Sequence, residues 1–223
     1  MTTTIARPTR QASRAGWLVP VGLILLTLIP IVAGAARVTE LSGAPAITAD
    51  NARFVTSPIP VIVHIVGATL FSILGAFQFV PGLRRRNRWH RLAGRVLVPA
   101  GVAVALSGIW MAVISEHAPA DGVALSALRV IFASLMLAFI ALGVRSIIRR
   151  DFISHGAWMT RAYALAVAAG TQAIVLIPQT VIFGKYEETS RAVFMGAAWV
   201  INLAIAELVI RRRSTRRTVR SAS

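Results

Sequence analysis

The chain has 223 residues and no cysteine. That removes disulfides, thiolate metal sites and thiol redox chemistry, and leaves cysteine usage silent about compartment. Acid is scarce as well: eight Asp and Glu stand against 24 Lys and Arg, for a net charge of +16. With so few carboxylates in the apolar stretches, a two-carboxylate or relay mechanism has little to work with. There are four histidines. No H-E-x-x-H, Walker, Rossmann or serine-hydrolase pattern occurs, so the chain reads as no enzyme on its own. Charged residues of every kind make up 14% of it. A soluble domain carries about a quarter.

What is present is apolar length. The chain is 56% hydrophobic, with a mean hydropathy of +0.70. Residues 61–114 set the pattern: two long apolar runs flank the short loop RRRNRWHR. Such runs are too long for a soluble core, and such a loop is too basic to cross a bilayer easily. The expected fold class is all-α, a polytopic transmembrane helix bundle. Six spans are expected at about 17–36, 59–80, 92–114, 125–147, 157–182 and 192–210. The domain layout is a basic tail over 1–15, a membrane domain over 16–210 and a second basic, flexible tail over 211–223. A signal peptide is the rival reading for the first span, with Ala33-Gly34-Ala35 as its cleavage site, but the apolar run is long for one.

The charges orient this map. The two termini, the loops after spans 2 and 4, and the adjoining helix ends hold 19 of the 24 Arg and Lys residues. Arg37, Arg53, Lys185 and Arg191 lie in the other loops, and Arg129 is left over near the start of span 4. Six spans with both termini cytoplasmic put every dense cluster inside, in a cell (inner) membrane protein. All but one of the basic residues are arginine, which suits anionic lipid headgroups. Nucleic acid is not the expected partner, because the basic residues lie in short membrane-flanking loops.

Candidate site residues follow from what sits inside or beside the spans. Span 3 carries Gly94, Gly101 and Gly108 at seven-residue spacing, a seam for close helix approach. Span 2 presents His64, Gly67, Ala68, Phe71, Gly75 and Gln78 on one face. Gln78, Thr171, Gln172 and Asn202 read as interhelical hydrogen-bond glue. Glu207 lies one turn before Arg211, which makes an ion pair between them the expectation. His117 sits in an acidic turn with Glu116 and Asp121. His90 and His155 open spans 3 and 5, 65 residues apart, each behind an arginine cluster and each followed by an arginine, Arg95 and Arg161. That echo is a weak sign of an internal repeat.

Paired imidazoles on facing helices suit haem iron. In that reading His90 and His155 ligate haem b, or flank a quinone, near the cytoplasmic face. Arg91, Arg95 and Arg161 hold the anionic groups, and Trp158 and Met159 pack on the flat ring. The alternative is a non-enzymatic membrane scaffold or small transporter, in which the same residues set packing and topology. An arginine inside a span is costly by at least about 2.5 kcal/mol, which marks Arg161.

The segments His64-x-x-Gly67, Gly75-Ala-Phe-Gln78-Phe79, His90-Arg91-Leu-Ala-Gly94-Arg95, Ser107-Gly108 and His155-Gly-Ala-Trp158-Met159-Thr-Arg161 resemble a bacterial family of predicted membrane proteins known only as a domain of unknown function. The resemblance implies a multi-span bundle with its core at about 59–182, spans 1 and 6 being additions, and it implies no biochemical role.

Overall fold

The computed structural model describes residues 15–48, 51–80, 83, 87–115, 121–183 and 187–222. Expectations for residues 1–14 and for Arg84, Arg85, Arg86, Glu116, His117 and Lys185 fall outside them. The described residues form helices and no strand: α1 (Ala15–Ser42), α2 (Ala52–Val55), α3 (Pro58–Phe77), α4 (Asn87–Val113), α5 (Val123–Ile148), α6 (Phe152–Ala166), α7 (Ala168–Phe183) and α8 (Glu188–Ala222). Six stretches among them are long and apolar enough to cross a membrane, with α6 and α7 together making the fifth.

The central unit is a ring. Helix α3 packs on α4, α4 on α5, α5 on α6, and α6 returns to α3. Helix α1 lies outside, against α3 and α7, and α8 lies against α5, α6 and α7. Leu25, Ile62, Trp110 and Val200 point outward and exposed, as a lipid-facing surface requires. Inside, Phe71, Leu97, Ile140 and Tyr163 form one apolar cluster.

Small residues let the backbones close on this cluster. A Cβ at Gly101 would lie 2.6 Å from the Phe71 ring and 2.8 Å from Ile140, so that seam position is real. Gly108 leaves room for His64, whose Cε1 would stand 3.5 Å from an added Cβ. Gly94 differs from the expectation: nothing lies within 4 Å of its missing side chain. Its neighbours Ala93 and Leu97 enter the core, while Gly94 itself makes no close helix contact. Gly170 takes the carbonyl of Leu26, so α1 is seated by direct backbone approach to α7.

The joint between α5 and α6 is tight because two caps meet. Arg150 adopts φ 61°, and the amides of Arg150 and Asp151 return to the carbonyls of Ile147 (3.0 Å) and Ser146 (2.9 Å). This is a Schellman ending with arginine at the left-handed position usually given to glycine. Asp151 then caps α6, accepting from the amides of Ile153 (3.2 Å) and Ser154 (3.0 Å). The Ser154 bonds hold the exposed Asp151 carboxyl below its ordinary pKa. At the other terminus α8 runs on to Ala222, where a flexible tail was expected. Arginine is a good helix former and no Gly or Pro intervenes to stop it.

Candidate functional site: two cavities at opposite ends of the ring

Polar side chains between helices fall into two groups. The first group is structural. Asn202 donates to the Ala164 carbonyl (3.0 Å) and accepts from Thr171 (2.8 Å). Gln172 donates to the Met195 carbonyl (3.3 Å). These three are the interhelical glue that their positions suggested. Glu207 takes a different partner from the expected Arg211: Arg161 reaches it with both Nε and Nη2, the latter at 2.9 Å. The fork geometry of a guanidinium on the facing helix outcompetes a neighbour on the same helix. Arg161 also lies over the Trp158 ring, 4.6 Å from its centroid.

The second group lines cavities. At the arginine-rich end, a cavity of about 80 Å³ is bounded by Gln78, Phe79, His90, His155, Met159, Tyr163 and Arg213, among others. The structure therefore brings together His90, His155, Met159 and Gln78. The Nδ1 of His155 lies 2.9 Å from the Gly143 carbonyl. A carbonyl only accepts, so the neutral ring keeps its hydrogen there and leaves Nε2 as an acceptor. Both amide atoms of Gln78 are buried without a hydrogen-bond partner, so Gln78 departs from the glue role. Arg161 and Trp158 are not in this cavity, and Arg91 and Arg95 are exposed. These residues do not support a haem: the cavity is small, Arg161 is paired with Glu207, and Arg91 and Arg95 are exposed.

At the opposite end lies a larger chamber of about 300 Å³. Its walls come from α2 through α8 and include Phe54, Met111, Phe132, Met136, Leu165 and Trp199. Phe132 and Trp199 stack at 4.8 Å between centroids. The polar groups are few: Arg53, His64, Ser115, Arg129 and Gln172. His64 Nδ1 is 3.1 Å from the Val104 carbonyl and 3.1 Å from Ser107 Oγ, while Ser107 donates to the Ala103 carbonyl (2.6 Å). The ring is thus held in one orientation, and Nε2 is again the acceptor left over. The partners of His64 are thus the backbone and a hydroxyl of the neighbouring helix.

Above the chamber stands Asp121. Its side chain has 0% exposure. Arg53 and Arg129 each donate through Nη1 to Oδ2, at 3.1 and 2.9 Å. Arg191 Nε approaches Oδ1 at 3.0 Å, close enough for an ion pair but off the axis of a hydrogen bond. Burial alone raises the pKa of Asp121, yet Arg129, Arg191 and Arg53 together hold it below its ordinary value. Burial lowers Arg53, against the opposing pull of Asp121. This cluster joins α2, the α4–α5 loop, α5 and α8. In the sequence these residues stand out only as loop charges and a leftover Arg129. The usable signal was Arg129 itself: a lone cation beside an apolar run needs a counter-ion, and Asp121 is eight residues away.

A family model described as "Predicted membrane protein (DUF2306)" matches residues 61–210. The chain belongs to that family. No curated protein and no solved structure matches it. The DUF2306 match runs from Val61 in α3 through α8 as far as Ile210, so the sixth span belongs to the family's domain rather than being an addition, while α1 and α2 lie outside it. Of the chamber lining, Arg53 and Phe54 therefore precede the matched segment.

Proposed function

We propose that this membrane protein binds a small amphipathic molecule inside the helix ring. The observation that carries the reading is the chamber of about 300 Å³, the lower end of the range for small-molecule sites. Its mostly apolar wall and few convergent polar groups match such sites. A quinone is one molecule of this class, so a redox role is better supported at the chamber than between His90 and His155. A through-going transporter is less supported, because Phe71, Ile140 and Tyr163 pack between the two cavities and Arg161 lines neither.

The test uses a photoactivatable diazirine decanol with protein reconstituted in phosphatidylcholine vesicles. The expected adducts fall on Met136 and Leu165 inside the chamber, and disappear in Ala133→Trp, which fills it. Outward residues such as Leu135 serve as lipid-facing controls in both proteins. Adducts confined to outward residues in the wild type would remove the reading.

The arginine-rich end is proposed to face the cytoplasm of a cell membrane, by the inside bias of positive loops. The cysteine-free chain makes this simple to check. Thr56→Cys should react with an impermeant maleimide on intact cells, and Thr215→Cys only after permeabilisation. The reverse pattern inverts the orientation.

A further inference from the structure

We propose that the chamber's ligand is a single-chain anionic amphiphile, with its acid group held by Arg53 and Arg129 and its apolar body lying along Phe132, Met136 and Leu165. This rests on the chamber being a binding site and adds the charge of what it takes. Arg53, Arg129 and Arg191 surround one carboxylate, Asp121. Two exposed acids, Glu187 and Glu188, stand near the start of α8, the latter against Gly122. Both face outward, so Asp121 is the buried carboxylate that these guanidiniums share among the described residues. The nearby Arg37 and Glu40 neutralise each other.

The second observation is which of these guanidiniums face the chamber. Arg53 and Arg129 are the two members of the cluster that also line the chamber. Each touches Asp121 through a single Nη1, although a guanidinium has five N–H donors in a fork suited to a carboxylate or phosphate. Among the described residues no second carboxylate pairs with either, and Arg53 Nε is buried without a hydrogen-bond partner. The third observation is what lies beneath. Below the guanidiniums the wall turns to Met, Phe, Leu and Ala, with His64 offering an acceptor and adding no charge when neutral. An inorganic anion would satisfy the arginines and leave this apolar volume unused. A chain attached to the anion fills both. The chamber lies at the lower end of the range for small-molecule sites, which suits one chain rather than a two-chain lipid.

The experiment compares diazirine-bearing decanoic acid with the matching decanol, in the same phosphatidylcholine vesicles at equal membrane concentration. The acid should label Phe132, Met136 or Leu165 at least about tenfold more than the alcohol, as a charge-assisted bond implies. Arg129→Gln should abolish that preference while leaving alcohol labelling in place, which also shows that the variant is folded. Arg129→Lys, which keeps the charge, should retain part of it. Unlabelled decanoate and decyl phosphate, added as competitors, distinguish a carboxylate from a phosphate head; displacement by either supports the proposal, and displacement by neither overturns it. Equal labelling by acid and alcohol inside the chamber overturns the anion and leaves the binding site standing, the pattern a neutral quinone would produce. No labelling inside the chamber by either probe removes both readings.

Discussion

At the Asp121 end, three arginines converge on a carboxylate with no exposed surface, and a chamber opens beneath them. At the other end, Arg91, Arg95, Arg149 and Arg150 are exposed, and the cavity behind them is small. The crowded end is where the sequence draws the eye, since most of the charge is there. The sparse end is where charge is buried, and buried charge is what requires specific geometry. Number of charges speaks to orientation; burial of charges speaks to a site.

The largest test of this contrast is Asp121→Asn. Removing the one anion leaves three partly buried cations facing each other. A loss of about 3 kcal/mol is expected, the low end for breaking a buried pair because the arginines are still 21–26% exposed. Denaturant unfolding in mild detergent measures it, and a loss below about 1 kcal/mol would make the cluster an ordinary surface network. The sign with pH follows from the depressed carboxyl. Its contribution is full above the ordinary value of 3.8 and fades as pH falls through the lower folded value. Wild-type stability should therefore drop more steeply below pH 4 than that of Asp121→Asn.

The next pair compares the cavities directly. His64→Leu severs a bond to a backbone carbonyl and should cost about 1–2 kcal/mol, read as a lowered melting temperature. Gln78→Leu replaces an amide without partners and should be neutral or stabilising by about 1 kcal/mol. If Gln78→Leu were the more damaging of the two, the small cavity would be the one that holds something. A smaller effect belongs to the α5–α6 joint. Arg150→Gly relieves a left-handed residue and should stabilise by up to about 1 kcal/mol. Smallest is Arg95→Gln, an exposed charge whose loss should move stability by less than about 0.5 kcal/mol.

Much of the fold was legible because its signals are local. Apolar length marks six spans, and the positions of Gly101 and Gly108 on one face of α4 follow from helical spacing. Asn202 and Thr171 declared their need for partners because lipid supplies none. Other elements were hidden for identifiable reasons. Helix α2 is four residues in a polar loop. The α5–α6 joint uses arginine where a reader looks for glycine. Gly94 keeps the spacing of the seam but makes no close helix contact. The pairing of Glu207 with Arg161 crosses 46 positions and has no periodic trace.

The sequence by itself determined that this chain lives in a membrane, roughly where it crosses, and which end carries the arginines. Those properties are sums over neighbouring residues: hydropathy along a run, charge within a loop. Only the tertiary structure decided that His90 and His155 share a small cavity, that His64 borders a larger one, and that Arg53, Arg129 and Arg191 meet on Asp121. Those facts depend on which helices close the ring, and ring closure places side chains from distant segments within 3.1 Å of one another.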